Sequence, residues 1–219
     1  MFRAVVFDLW GTLVTPPKNA FEEFRRTWSA ALDIPTDRLD EVWLDGEGYR
    51  RRETGPIRDA IVEVGERLAI DIDVEAILAL RLEFMRDVLV PDVGVVETLA
   101  ELRGRGIPVA LVSNSTEDVA LVWAETPFVD LFDTAVFSAT AGFMKPDPEI
   151  YELALRELPV SASETLFVGD GANDELEGAR VVGMTPVLVQ PGDAPQWDGL
   201  EDWPGRRIAS IPEVLDLVA

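Results

Sequence analysis

Asp8 closes a short apolar run, Arg3-Ala4-Val5-Val6-Phe7, and Gly11 and Thr12 follow it within four residues. A carboxylate at the end of a buried strand has two uses. It can cap the loop that follows, or it can attack an electrophile and form a covalent intermediate that water later breaks. Gly11 lets the chain turn there at little steric cost. Three more apolar runs end in polar groups: Ser113-Asn114, Ser138, and Asp170 with Asp174 four residues beyond. The chain holds no histidine and no cysteine. Serine–histidine triads, thiolate nucleophiles and His- or Cys-ligated metals are therefore excluded, and any catalysis runs on carboxylates, hydroxyls and lysine.

Periodicity defines the elements that must position these groups. Apolar runs at 3–8, 107–112, 134–137, 165–168 and 186–189 read as buried strands. They alternate with helical stretches at 95–105 (Gly106 just past its end), 117–125, 148–158, 175–182 and 211–217. Such alternation implies parallel βαβ units in one doubly wound sheet. From Pro16 to about Val88 the pattern turns helical. Phe21, Phe24, Trp28 and Leu32 make one apolar face, Ile57, Ile61, Val64 and Leu68 a second, and Ile77, Leu80, Phe84 and Val88 a third. Asp71 to Glu75 offers capping carboxylates between the last two. The stretch 191–204, rich in Pro, Gly, Asp and Trp, reads as a loop. In an open parallel sheet, ligands sit beyond the carboxyl ends of the strands. Asp8, Ser113-Asn114, Ser138 and Asp170 all follow predicted strands, so they share that edge, with Lys145 nearby. Polar residues after strands are also ordinary turn chemistry, but four sets on one edge indicate a site.

The 219 residues are 47% hydrophobic and 27% charged, ordinary usage for a folded chain with room for one large domain or two modest ones. Nineteen basic against 41 acidic residues give a net charge of −22. Binding to nucleic acid or to an anionic membrane surface is not expected at that charge. No apolar run approaches the ~20 residues of a membrane span. Met1-Phe2-Arg3 leads straight into a strand, so no signal peptide and a cytoplasmic location are expected. A monomer or homodimer is expected.

Four segments together resemble a known family. Phe7-Asp8-Leu9-Trp10-Gly11-Thr12-Leu13 is similar to the first motif of the haloacid dehalogenase superfamily, and Val109-Ala110-Leu111-Val112-Ser113-Asn114 resembles the second. Gly142-Phe143-Met144-Lys145-Pro146-Asp147-Pro148 is similar to the third, and Val168-Gly169-Asp170-Gly171-Ala172-Asn173-Asp174 with Gly178-Ala179 resembles the fourth. The resemblance implies an α/β fold: a Rossmann-like, doubly wound parallel core over 1–15 and 89–219, with an α-helical cap domain over 16–88 inserted after the first strand. It implies Asp8 as nucleophile, Ser113 and the Asn114 amide on the transferring group, and Lys145 neutralising nucleophile and oxyanion together. Trp10, Gly11 and Thr12 would line the site. Mg²⁺ would be held by Asp8, the Trp10 backbone carbonyl and Asp170, with Asp174 in support. An oxygen-only donor set suits that ion.

Trp10 departs from the family pattern. Phosphatases of the superfamily usually carry a second aspartate two residues after the nucleophile as general acid and base. An indole offers one N–H donor and does not titrate usefully. Dehalogenases of the superfamily carry an aromatic residue there, since a halide leaves without a proton, but they lack the metal-binding Gly-Asp of the fourth motif. The leading expectation is a Mg²⁺-dependent phosphatase acting on a small anionic phosphate ester. The alternatives are a metal-independent 2-haloacid dehalogenase and a weakly catalytic metabolite-binding homologue. Arg38 and Arg50-Arg51-Arg52 read as solvated helix-face charges rather than substrate contacts. Trp28, Trp43 and Tyr49 could line the cleft, although aromatics at helical spacing are more often core.

Overall fold

In the computed structural model, residues 1–192, 197 and 199–219 are described. Of the expected 191–204 loop, Asp193–Gln196 and Asp198 lie outside the described residues. The chain opens with strand β1 (Ala4–Phe7), followed by helices α1 (Ala20–Ala31), α2 (Thr36–Trp43), α3 (Gly46–Glu53), α4 (Ile57–Leu68) and α5 (Val74–Val88). The rest alternates: α6 (Val95–Gly104), β2 (Val109–Ser113), α7 (Glu117–Val122), β3 (Thr134–Phe137), α8 (Ser138–Ala141), α9 (Pro148–Glu157), β4 (Thr165–Gly169), α10 (Glu175–Val181), β5 (Thr185–Val189) and β6 (Arg206–Ile208). The strands form one sheet in the order β3-β2-β1-β4-β5-β6, every pairing parallel.

Strand alternation explains the layers. Val5, Phe7, Val109, Leu111, Leu166 and Val168 point to one face and pack under α6, the end of α5 and the carboxyl-terminal 3₁₀ turn. Ala4, Val6, Ala110, Val112 and Phe167 point to the other, under α9 and α10. Both faces are covered, so the strands read as continuous apolar runs. The five expected strands are present within a residue or two. The sixth, β6, was not expected, because Arg206-Arg207-Ile208 is short and charged; only its parallel pairing with β5 at the sheet edge makes it a strand. The expected closing helix is a 3₁₀ segment over Ile211–Asp216. Gly106, at φ +72°, follows α6 and returns its N–H to the Arg103 carbonyl at 2.9 Å.

Helices α1–α5 surround a separate core of Phe24, Trp28, Leu39, Trp43, Ile57, Ile61, Val64, Leu68 and Ile77. The three predicted faces fall on α1, α4 and α5, and Asp73 caps α5 by accepting from the Ala76 N–H at 3.0 Å. Phe21 is the exception on its face: it stays 41% exposed and meets Trp10 edge-on at 5.7 Å. The insert touches the strand-end side of the core through Arg50–Asp147 (2.6 Å) and the buried pair Arg81–Asp118 (2.6 Å). No helix among the described residues is long and apolar enough to cross a membrane.

Candidate active site

The central strand β1 delivers Asp8, and its neighbour β4 delivers Asp170 from the same edge. Asp8 is anchored by its own N–H, which donates to the Val168 carbonyl at 2.9 Å. After Asp170 the chain takes left-handed backbone at Asn173 and Asp174 (φ 53° and 54°) before α10 begins. That pair of turns sends Asp174 out to solvent and Glu175 inward, to 1% exposure. Glu175, and not Asp174 as expected, is therefore the carboxylate that faces Asp8 and Asp170. One carboxylate oxygen from each of Asp8, Asp170 and Glu175 lies within 4.8 Å of the others.

Lys145 answers this negative charge. It is buried to 3% exposure; its ammonium donates to Asp8 Oδ1 and, at 2.6 Å, to Glu175 Oε2. Burial alone would lower the lysine, but the charges of Asp8 and Glu175 override it and raise it above the ordinary range. A single ammonium shared between two carboxylates leaves the second under-compensated. Burial, and next the Asp8 charge, push Glu175 up in spite of Lys145. Asp170 is raised by the same two causes, partly offset by the Ala172 N–H (2.9 Å) and the Trp197 indole N–H (3.0 Å).

The loop bearing Lys145 is held by Asn114. Its side-chain carbonyl accepts the Lys145 N–H at 2.7 Å, and its amide donates to the Lys145 carbonyl at 3.0 Å. Asn114 thus orients the lysine. Ser113 is fully buried, with its hydroxyl 3.4 Å from the Asn114 carbonyl. Ser138 ties the two neighbouring loops together through both backbone groups of Ser115. A cavity of about 270 Å³ opens over the carboxylates, and Trp10, Gly11, Asn114, Lys145, Tyr49 and Trp197 are among its walls. Thr12 and Ser113 do not border it. The Thr12 hydroxyl is buried with no partner among the described residues.

Glu175 and Trp197 complete the site and were not singled out from the sequence, whereas Tyr49, a candidate cleft aromatic, does border the cavity. Glu175 had the signature of a helix start, and Trp197 that of a loop residue. The expectation that the arginines of the insert are solvated fails for Arg52. It is buried, donates to the Trp43 carbonyl, and stacks 4.7 Å over Trp43 and 4.9 Å over Tyr49. Arg38 donates to the Leu68 carbonyl at 3.0 Å and Arg51 to Glu63.

Gly11 sits at φ +74° directly against Asp170, and a Cβ there would overlap the Asp170 carboxylate. Gly11→Ala is expected to lower stability by about 1–2 kcal/mol for the left-handed backbone alone. Thermal denaturation should show that as a drop of roughly 2–8 °C. An unchanged melting temperature would mean that the left-handed turn at Gly11 relaxes without cost and that Asp170 moves aside freely.

With all three ionised, as a bound cation would favour, three buried carboxylates against one ammonium leave a charge of −2, all of it on oxygen donors. That set fits a divalent cation such as Mg²⁺, which takes carboxylate and water ligands. A parallel sheet with these groups at its carboxyl edge defines an α/β enzyme of the strand-end type. The family model for haloacid dehalogenase-like hydrolase matches residues 2–183, and the chain belongs to that family. It is 31% identical to Phosphatase MT3486 of Mycobacterium tuberculosis, over 97% of this chain and 96% of that one. It is 29% identical to the (S)-2-haloacid dehalogenase of Pseudomonas sp. over 90% and 89%. The fold matches the crystal structure of a HAD phosphatase from Thermococcus onnurineus with a TM-score of 0.71, at 24% identity over 98% and 97% of the two chains.

Proposed function

We propose that this hydrolase is a Mg²⁺-dependent phosphatase of small phosphorylated metabolites, with Asp8 forming an aspartyl-phosphate and helices α1–α5 acting as a cap over the site. The observation that carries this reading is the buried cluster of Asp8, Asp170 and Glu175, three carboxylates answered by the single ammonium of Lys145. A metal-free displacement of halide has no use for a third buried carboxylate. Magnesium, when bound, supplies positive charge to the carboxylates and to an incoming phosphate. Asp8 attacks phosphorus, Lys145 holds the attacking carboxylate in place, and Asn114 holds Lys145. Asn114, in the cavity wall, is the group assigned to the phosphoryl oxygens; the buried Ser113 hydroxyl, which does not border the cavity, supports the loop beside it.

The test is hydrolysis of p-nitrophenyl phosphate and acetyl phosphate with Mg²⁺ and with EDTA. Turnover is expected only with the metal, and turnover that survives EDTA would overturn the reading. Trp10, an aromatic wall of the cavity where a titrating group is expected, favours one second reading: halide displacement from a 2-haloacid by Asp8. Under the phosphatase reading, 2-chloropropionate releases no chloride with or without metal.

A further inference from the structure

A second cavity, about 230 Å³, lies beneath the helical insert, beside the one over the carboxylates. Tyr49 borders both. Phe21 borders the second cavity, and its ring meets Trp10, which borders the first. Phe24, Trp43 and Phe84 make the chamber aromatic, while Thr116, two residues beyond Asn114, brings it to the strand ends. Into this apolar wall α3 sets Glu53, only 8% exposed. Its Oε2 accepts no hydrogen bond, and its carboxylate has no ion-pair partner, among the described residues. A buried carboxylate oxygen without a donor is costly and calls for an explanation. The neighbouring charges do not supply a partner. Arg81 is engaged with Asp118 at 2.6 Å, Lys145 with Asp8 and Glu175, and Arg52 with the Trp43 carbonyl.

A carboxyl in that setting is comfortable when protonated. Burial, the largest influence, raises Glu53 from its ordinary 4.5 to about 7, with Asp118 adding to the rise and Arg52, Arg81 and Lys145 opposing it. Tyr49 faces it as well, and burial with the Glu53 charge pushes that phenol up to about 12. A proton donor that releases near neutral pH is what leaving-group protonation requires.

We propose that Glu53 is the proton donor to the leaving oxygen, performing from the helical insert what Trp10 cannot perform from the loop after β1. The proposal rests on the phosphatase reading. As an Asp8 oxygen bonds to phosphorus, the phosphorus–oxygen bond of the ester breaks. The leaving oxygen keeps that electron pair and takes the Glu53 proton, departing as an alcohol. In the second half, water adds to phosphorus, the bond to Asp8 breaks, and the water proton returns to the Glu53 carboxylate. Glu53 ends as it began, and the chamber's aromatic walls suit a leaving group with an apolar or aromatic body.

Benzyl phosphate and p-nitrophenyl phosphate separate this role from a structural one, because they are similar in shape but only the benzyl alcohol needs a proton to leave. Glu53→Gln is expected to lose about 10²–10⁴-fold in kcat/KM on benzyl phosphate and far less on p-nitrophenyl phosphate. Trp10→Asp in the same background should restore part of the loss. Wild type needs no variant to give a second reading: kcat/KM for benzyl phosphate should fall as pH rises through about 7, with no matching fall for p-nitrophenyl phosphate. Equal losses on both esters in Glu53→Gln, or parallel pH profiles in wild type, overturn the role of Glu53 and leave the phosphatase reading standing. No hydrolysis of either ester by wild type with Mg²⁺ overturns both.

Discussion

Lys145→Met is expected to destabilise the metal-free protein by about 3–5 kcal/mol, the range for removing one partner of a buried ion pair. For a chain of this length that lowers the melting temperature by roughly 6–20 °C. The reasoning is electrostatic. The methionine fills nearly the same volume, so little packing is lost, but Asp8, Asp170 and Glu175 then face one another within 4.8 Å with no cation between them. Glu175 and Asp170 are already raised by burial and by Asp8. A carboxyl raised in the folded state binds more protons there than in the unfolded chain, so stability falls as pH climbs above the ordinary carboxyl range. Without the ammonium these groups rise further, so the deficit of the variant should be larger at pH 8 than at pH 5. Mg²⁺ should recover more stability in Lys145→Met than in wild type, because it then supplies the only positive charge. Thermal denaturation in EDTA and in Mg²⁺ at both pH values measures all three effects. A small deficit, unmoved by pH and metal, would show that Lys145 is not the counterion of the cluster.

The same cluster shows what a sequence can and cannot carry. Asp8, Lys145 and Asp170 were legible because each stands in a short string whose neighbours constrain it: an apolar run before Asp8, Gly142 to Pro148 around Lys145, Val168-Gly169 before Asp170. Parallel strands place such residues on one edge whatever the helices do. Glu175 was not legible, because its position depends on two successive left-handed residues, Asn173 and Asp174, neither of them glycine. Arg52 is a similar case. Three consecutive arginines look alike in sequence, and only the rotation of α3 decides that Arg50 reaches Asp147, Arg51 reaches Glu63, and Arg52 lies between Trp43 and Tyr49. β6 failed for a third reason, since an edge strand of three residues is made by its partner more than by its own residues.

Asp8→Asn is expected to remove turnover by roughly 10⁴–10⁶-fold, the scale on which loss of a catalytic nucleophile is measured, while leaving a folded protein. Three carboxylates share the site, and their hydrogen bonds distinguish them. Both Asp170 oxygens are occupied, Oδ1 by the Ala172 N–H and Oδ2 by the Trp197 indole. Both Glu175 oxygens are occupied as well, Oε1 by the Gly171 N–H at 2.9 Å and Oε2 by Lys145. Asp8 receives Lys145 on Oδ1 and no donor on Oδ2 among the described residues. An oxygen whose lone pairs are not engaged is the better nucleophile, and this one stands on the strand held from both sides of the sheet. The asparagine keeps the shape and relieves repulsion within the cluster, so its melting temperature should match or exceed that of wild type in EDTA. The stabilisation by Mg²⁺ should shrink with the loss of one carboxylate. Mass spectrometry of wild type quenched in acid during acetyl phosphate turnover should find phosphate on the peptide containing Asp8, and none in the variant. If Asp8→Asn turns over within about 100-fold of wild type, or the phosphate lies on another peptide, the nucleophile is not Asp8. Asp170 or Glu175 would then have to shed one of its hydrogen bonds to act.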